Sequence, residues 1–369
     1  MPARPPGRAH EVSDLLISRL LARVDETLRT GPGGFPVYAD PVSGRWHVAD
    51  KPEWNGGFWP GLLWLAAAAT GEARYAEAAT ACLEPLRARA EATTVLRGFM
   101  FWYGAALGIR LGVTGERAGE VAVAAARSLA TSYVPAAQVL SPGQEDATLY
   151  LWPSPGACVD GLPGAVPLLA LAAREDCEPD LGQMAVSYAA GIGRLCVRPD
   201  GSISQAATFD AAGRLAAQES PNASSDAGTW GRAQAWGMLG LAQAAHLSGE
   251  LTPLAARVAD WYLANVPADR VCFWEFHPDG ADAPRDTSAT AIAAAALVKL
   301  APLAGGHYRT AAAETLAALA GHHLGAHGLV DGCYNAKKGL ASRHELIWGD
   351  YFALEAALGL AGTLDTALL

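Results

Sequence analysis

The chain is poor in charged residues, which make up only 17% of its 369 residues, whereas hydrophobic residues make up 51%. This balance argues against a disordered chain and predicts a large buried core. The net charge of −10 makes nucleic acid and anionic membrane surfaces poor partners. A local site can oppose the global charge, so the composition does not exclude an anionic small molecule as substrate.

The sequence also lacks any C-x-x-C pair, so no zinc or iron–sulfur spacing is present. The six cysteines are scattered along the chain: Cys82, Cys158, Cys177, Cys196, Cys272 and Cys333. We therefore expect reduced and mostly buried thiols in a cytoplasmic protein that uses no metal and no other cofactor.

Long apolar runs and a secretory signal are missing as well. Alanine-rich segments such as AIAAAALVKLA stop short of a membrane span. The Pro-rich start MPARPPGRAHEV is not followed by an apolar core, as a secretory signal would be. No long Pro/Gly/Ser linker divides the chain. We expect a flexible N-terminus over residues 1–10, a single domain over 11–369, and no membrane partner.

Strand-like alternation is nearly absent, and two forms of helical stretch alternate along the chain. The amphipathic stretches run at about 11–29, 73–90, 117–131, 180–196, 251–265 and 307–321. The stretches that are rich in Ala, Gly and Leu on every side run at about 57–70, 97–112, 160–173, 228–247, 286–302 and 349–361. A helix that is apolar on all sides must be buried on all sides. The alternation predicts an all-α (α/α)₆ barrel, a six-hairpin toroid with six inner and six outer helices.

The inner helices of such a barrel run in the same direction, so their N-termini and the long loops before them meet at one rim. Most of the 11 tryptophans lie near these helix starts. Aromatic walls with a few converging polar groups are typical of a small-molecule site, here for a saccharide. The residues predicted to bind it are Trp54, Asn55, Arg97, Trp152, Trp230, Arg232, Gln234, Trp236 and Trp348. Because Arg232 and Gln234 are two residues apart, one is expected to bind ligand while the other braces the barrel.

Asp160 is the candidate catalytic residue, because it is a lone carboxylate in the apolar run VDGLPGAVPLL at an inner-helix start. Burial there would raise its pKa and hold a proton for delivery. A helix N-cap is the alternative role for Asp160. Core packing is the alternative role for Trp59, Trp64 and Trp236.

Five segments resemble, in the same order, the unsaturated glucuronyl hydrolases of glycoside hydrolase family 88 and the related unsaturated rhamnogalacturonyl hydrolases. The segments are 54–61, 98–101, 229–237, 285–289 and 349–352. The resemblance implies the (α/α)₆ barrel and a reaction in which the C4=C5 enol ether of a 4,5-unsaturated uronic acid is hydrated. An acid protonates C4, water adds at C5, and the resulting hemiketal opens. The resemblance places Asp160 at the position of the acid and base.

The sequence departs from this family at three positions. Leu96 stands where the family usually carries its second aspartate, and a family histidine is missing near Asn222. Glu275 replaces the aspartate of a Trp-Asp-Phe segment. The sequence leaves open whether Arg97 or Glu275 replaces the lost carboxylate, and therefore whether the standard uronide is the substrate.

The alternatives to uronide hydration keep the same site. One is a divergent hydratase, glycosidase or isomerase that acts on a modified sugar in secondary metabolism. Another is a non-catalytic sugar-binding homologue. A cyclase-like barrel that does not bind sugar is disfavoured, because no Asp-rich metal motif stands at any predicted helix.

Overall fold

The computed structural model describes residues 8–145, 152, 154–175, 178–277 and 282–365. The expected flexible N-terminus therefore lies mostly outside the described residues, although residues 8–10 already belong to the first helix. Cys177 also lies outside them. The helices are α1 (Arg8–Thr30), α2 (Phe58–Thr70), α3 (Ala73–Ala81), α4 (Leu83–Arg87), α5 (Arg97–Phe101), α6 (Leu107–Arg110), α7 (Glu116–Ala130), α8 (Leu162–Glu175), α9 (Pro179–Cys196), α10 (Gly231–Leu247), α11 (Thr252–Asn265), α12 (Thr287–Ala304), α13 (Gly306–His322) and α14 (Ile347–Ala361).

Each of the twelve stretches predicted from the sequence contains a helix, and the fold is all-α in its core. Two of the stretches are interrupted. The stretch 73–90 divides into α3 and α4, and the stretch 97–112 contains a π-helical turn at Trp102–Ala106 between α5 and α6. Two short 3₁₀ turns, Gly249–Leu251 and Ala336–Lys338, complete the helical elements of the described residues.

The apolar helices pack side by side in chain order. The helix α2, the segment from α5 to α6, and then α8, α10, α12 and α14 each contact the next, and α14 contacts α2. The amphipathic helices pack outside them: α3 on α2, α7 on α5 and α8, α9 on α8, α11 on α10, α13 on α12, and α1 on α14. The division into fully buried helices and helices with one solvent-exposed face thus follows from their sequence patterns.

The helix α12 is longer than the sequence suggested. It is the one described helix that is long and apolar enough to cross a membrane, but most of it is buried inside the protein. Its side chains are buried almost continuously from Thr287 to Leu300. Burial among neighbouring helices accounts for its apolar composition, because a core helix needs no polar face.

Short strands in the connecting loops were not predicted from the sequence. They are β1 (Phe35–Ala39), β2 (Trp46–Ala49), β3 (Tyr133–Val134), β4 (Val139–Leu140), β5 (Gly156–Cys158), β6 (Ala206–Phe209), β7 (Leu215–Glu219) and β8 (Glu345–Leu346). They form three small antiparallel sheets in the orders β2-β1-β8, β3-β4 and β5-β6-β7. Strands of two to five residues show too few alternations for a period of two to be recognised.

The helices α5 and α8 approach each other backbone to backbone. A Cβ atom added to Gly98 would lie 2.6 Å from the backbone nitrogen of Ala165, and one added to Gly164 would lie 2.3 Å from the backbone nitrogen of Phe99. No side chain other than hydrogen fits at this crossing. The two glycines therefore set the distance between the start of α5 and the start of α8.

An ion pair is buried among the inner helices. The Nζ atom of Lys299 on α12 lies 2.7 Å from Oε1 of Glu355 on α14, and the Tyr351 hydroxyl donates to Glu355 Oε2 at 2.6 Å. These three residues, which we call the core ion pair cluster, are at most 3% exposed. Burial raises the pKa of Tyr351 and the nearby Tyr103 well above the ordinary value, with the charge of Glu355 as a further cause.

Candidate active site

A cavity opens at the starts of the inner helices. The residues that line it are Trp54, Leu96, Phe99, Trp152, Asp160, Asn222, Trp230, Arg232, Trp236, Tyr334 and Asn335. They precede or begin α2, α5, α8, α10 and α14, which is the rim that the sequence indicated. Five of the eleven are aromatic rings of tryptophan or tyrosine, a composition that suits a sugar ring.

Six of the residues predicted as functional meet in this cavity. They are Trp54, Trp152, Asp160, Trp230, Arg232 and Trp236. Arg232 and Trp236 are four residues apart on α10 and so project from one face. Trp236, for which packing was the alternative, lies in the cavity wall. Trp64 instead packs inside the fold, where its indole N–H donates to the Gly104 carbonyl at 3.1 Å.

Asp160 is the middle residue of the three-residue connection between β5 and α8. The side chain is 5% exposed, and its Oδ2 accepts a hydrogen bond of 2.9 Å from the amide nitrogen of Gln205. Gln205 is itself fixed, because its side-chain oxygen accepts from the Asn222 backbone N–H and its carbonyl accepts from the Val159 backbone N–H. Strand pairing of β5 with β6 thus positions the carboxylate.

Cys158, two residues before Asp160, offers no competing base. Burial raises the pKa of its thiol well above the ordinary value, and the negative charge of Asp160 raises it further. Among the described residues that line the cavity, Asp160 is the only carboxylate. The arrangement makes Asp160 the candidate for proton transfer in the cavity.

Arg232 is the only cation among the described lining residues, and its guanidinium is engaged by the protein. Nη1 donates to Asp286 Oδ2 at 3.0 Å and to the Cys333 carbonyl at 2.7 Å, and Nη2 donates to the Tyr334 carbonyl at 2.8 Å. The guanidinium also lies 4.7 Å from the Trp230 ring centroid. Arg232 thus ties α10 to α12 and to the loop that carries Tyr334.

Four lining residues form a continuous apolar surface, which we call the apolar wall: Trp54, Leu96, Phe99 and Trp236. The ring of Phe99 lies 6.0 Å from Trp54 and 4.8 Å from Trp236. Leu96 stands three residues before Phe99, at the start of α5, and is 6% exposed. Leu96 stands at the position where the resembled family usually carries its second aspartate. A hydrocarbon side chain therefore faces the cavity at that position.

Arg97 and Gln234 do not line the cavity, although both were predicted to bind substrate. Arg97 points away from it, and its guanidinium donates to Ser128 Oγ at 2.8 Å and to the Ala90 carbonyl at 3.0 Å. The amide of Gln234 accepts from the Ile203 backbone N–H and donates to the Gly201 and Val258 carbonyls. Neighbouring positions on a helix point in different directions, and these two side chains brace the fold.

Asn55 and Trp348 lie behind the lining residues. Trp348 is fully buried and packs on Trp54, with ring centroids 4.9 Å apart, and on Tyr334 at 5.4 Å. The side chain of Asn55 is 1% exposed. Its amide and the indole N–H of Trp348 have no hydrogen-bond partner among the described residues. In this structure both residues support the cavity rather than line it.

Sequence reasoning missed Asn222, Tyr334 and Asn335 as lining residues. All three lie in the loops that precede inner helices, whereas the prediction was based on residues at the helix starts. Tyr334 accepts a hydrogen bond of 3.3 Å from the Trp54 indole and lies parallel to that ring. Glu275, a candidate replacement for the lost carboxylate, is outside the cavity lining and instead accepts from Ser224.

No group of three or more His, Cys, Asp or Glu side chains among the described residues is arranged to hold a metal ion. The described lining presents a buried carboxylate, a guanidinium, aromatic rings and amide groups. A concave site with aromatic walls and a few converging polar groups is typical of small-molecule binding, and aromatic ring faces suit a sugar.

Comparison with known proteins identifies the class more closely. The chain is 30% identical to the unsaturated glucuronyl hydrolase of Bacillus sp. strain GL1, over 88% of this chain and 90% of that protein. It is 27% identical to the unsaturated chondroitin disaccharide hydrolase of Streptococcus pyogenes serotype M1, over 85% of this chain and 82% of that protein. No protein-family model matches it. The chain belongs to the unsaturated glucuronyl hydrolase family, glycoside hydrolase family 88.

Solved structures agree with this assignment. The crystal structure of the unsaturated glucuronyl hydrolase from Bacillus sp. GL1 aligns with a TM-score of 0.85 at 28% identity and covers 94% of this chain and 96% of that one. The unsaturated glucuronyl hydrolase from Streptococcus agalactiae aligns with a TM-score of 0.87 at 23% identity, over 97% and 94% of the two chains. The second likeness concerns the fold alone.

Proposed function

We propose that the protein is a glycoside hydrolase that hydrates the C4=C5 double bond of a terminal 4,5-unsaturated uronic acid or a related enol-ether sugar. Family membership supports the reaction, since its relatives carry the names of unsaturated glucuronyl and unsaturated chondroitin disaccharide hydrolases. The observation that carries the proposal is the position of Asp160, the single described carboxylate in a cavity lined by tryptophans.

The reaction needs one group that first gives and then takes a proton. In its acid form, Asp160 donates a proton to C4, and positive charge develops at C5 beside the ring oxygen. Water adds at C5 and returns a proton to the carboxylate. The hemiketal then opens and releases the linked sugar, so that one water is consumed and one glycosidic C–O bond is broken. A single carboxylate suffices because the two proton transfers occur in sequence.

The surrounding residues bind and orient the sugar in this proposal. Trp54, Trp152, Trp230 and Trp236 offer ring faces to the pyranose, while Asn222 and Asn335 offer amide groups. The indole N–H of Trp230 is buried and has no hydrogen-bond partner in the described part of the chain, so it is available to a substrate oxygen. Gln205 holds Asp160 in place.

The barrel architecture and the cellular location form part of the same proposal. The ring of contacts from α2 through α14 and back supports an (α/α)₆ barrel, and we assign residues 11–369 to one catalytic domain of this kind. The five described cysteines are free thiols, which supports a cytoplasmic location. The reaction requires a saccharide and water, and no cofactor, metal, nucleic acid or membrane.

The proposal is tested by following the ultraviolet absorbance of the enol ether during incubation with unsaturated disaccharides. Absorbance is expected to fall with the wild-type protein and to persist with Asp160→Asn. Mass spectrometry should show a gain of one water in the summed products, whereas an isomerase would add none. Binding without turnover, measured by calorimetry and unaffected by Asp160→Asn, would support a sugar-binding protein instead.

A further inference from the structure

The polar and apolar groups of the cavity are unevenly distributed. The described polar lining groups are Asp160, Asn222, Arg232 and Asn335, together with the Trp230 indole N–H and the Tyr334 hydroxyl. The apolar wall offers no hydrogen-bond acceptor at all. Its one polar atom, the Trp54 indole nitrogen, already donates to the Tyr334 hydroxyl at 3.3 Å.

Leu96 occupies the part of the apolar wall at the start of α5. Its backbone N–H donates to Thr94 Oγ1 at 3.1 Å, and its carbonyl accepts from the Phe99 N–H at 2.9 Å. The backbone crossing at Gly98 and Gly164 fixes this turn against α8. The backbone of Leu96 is therefore held beside the cavity, and its hydrocarbon side chain forms part of the lining.

The ring of a terminal 4,5-unsaturated uronide carries free hydroxyl groups at C2 and C3, since C4 and C5 form the double bond and C1 carries the linked sugar. A hydroxyl that is buried against Leu96 and Phe99 loses its hydrogen bonds to water and finds no replacement there. A hydrogen, methyl ether or acyl group at the same ring position loses nothing on burial and gains apolar contact. Hydrophobic pockets reject an added hydroxyl by about 100-fold at most.

We infer that Leu96 is a specificity-determining residue that selects an unsaturated sugar whose ring is deoxygenated or capped by an ether or ester at the position facing the apolar wall. The substrate class is thus an enol-ether sugar with one hydroxyl fewer than a plain unsaturated uronide. This inference rests on the proposed function, and it concerns the same cavity.

The test uses the full chain and a panel of unsaturated disaccharides in which one hydroxyl of the unsaturated ring at a time is replaced by hydrogen or a methoxy group. The parent disaccharide with all hydroxyls is the reference. For one ring position, kcat/KM of the wild-type protein should exceed that for the parent by about tenfold or more. Leu96→Asn supplies hydrogen-bonding groups and should shift the ratio toward the parent by about tenfold.

Leu96→Met is the matched control, since it preserves volume and apolar character. The ratio of the two kcat/KM values should stay on the wild-type side for this variant. Equal turnover of the parent and every panel member, or a ratio that Leu96→Asn leaves unchanged, overturns the inference while the proposed function stands. Absence of both turnover and tryptophan-fluorescence change across the panel contradicts the proposed function, and the inference with it.

Discussion

The cavity and the core ion pair cluster each bury a carboxylate, but in different company. Glu355 is held by the Lys299 ammonium at 2.7 Å and by the Tyr351 hydroxyl, inside the packed helices. Asp160 receives a hydrogen bond from the amide of Gln205 and borders the cavity. The first carboxylate is neutralised by a cation within the core, whereas the second faces a space that a ligand can fill.

The difference distinguishes a buried charge that stabilises the fold from a buried charge that is available for chemistry. Removing one member of a buried ion pair leaves the other charge uncompensated and destabilises the fold. Removing a carboxylate that borders a cavity relieves a desolvation cost and mainly affects chemistry. Substitutions at Asp160 should therefore change activity more than stability, and substitutions in the core ion pair cluster should change stability more than activity.

Asp160→Asn should have the largest effect, and only on turnover. We expect a loss of about 100-fold to 10,000-fold in kcat, because the proton donor is lost while an amide of the same shape remains. The free energy of unfolding in urea should stay equal to that of the wild-type protein or rise. A drop in stability comparable to that of an ion-pair variant would break the contrast between the two regions.

Lys299→Met should show the reverse pattern. The free energy of unfolding is expected to fall by about 3–5 kcal/mol, because Glu355 would be left buried and unpaired. The double variant Lys299→Met, Glu355→Leu removes both charges and should recover most of the loss. Chemical denaturation measures all three proteins. Equal stability of the single and the double variant would show that an unpaired Glu355 is not the cause of the loss.

Gly164→Ala tests whether the backbone spacing of α5 and α8 supports the cavity that contains Asp160. The added Cβ would meet the backbone of α5, so the helices must separate, at a cost of about 1–3 kcal/mol. Activity should fall together with stability, because α8 begins just after Asp160. Gly119→Ala on α7 is the control, since its Cβ would lie 3.6 Å from the nearest atom, the Cδ1 of Ile109. Similar losses in both variants would refute a special role for the crossing.

Asp350 should affect stability alone, and the effect should be seen as a pH dependence. Burial raises the pKa of Asp350 well above its usual range, and the neighbouring Glu345 raises it further, although Arg23 opposes this. The folded state therefore holds a proton that the unfolded chain releases. This contribution to stability is complete below the unfolded pKa of about 4 and is lost as pH rises through the folded pKa.

Asp350→Asn mimics the protonated form and keeps an oxygen for the Leu329 N–H, which Asp350 Oδ1 accepts at 2.8 Å. Relative to the wild-type protein, the variant should gain stability with rising pH, by at most about 1.4 kcal/mol per pH unit. Urea unfolding at pH 5 and pH 8 measures the difference. A gap that is constant across this range would argue that Asp350 does not titrate within it.

The helices could be predicted because the distribution of apolar residues along each run indicates how much of the helix is buried. The run that forms α12 has no polar face, and the run that forms α1 has one. The strands could not be predicted, since β5 and β6 are short and exist because each pairs with a distant segment. That pairing matters for function, because it places Gln205 beside Asp160.

The cavity could be predicted only as far as helix starts identify it. Asp160, Trp230 and Arg232 lie at such starts, and all three line the cavity. Arg97 also lies at a start but points outward, because its direction depends on the rotation of α5 against its neighbours. Tyr334 reaches the cavity from a loop, and its position depends on tertiary contacts that have no local signal.

The glycine crossing between α5 and α8 has a consequence for how this protein can diverge. The spacing from the start of one helix to the start of the other is set by main-chain atoms, so it does not depend on which side chain occupies position 96. A new side chain there can change which sugars are accepted without displacing Asp160. Substrate preference and proton delivery can thus vary independently, provided that Gly98 and Gly164 are retained.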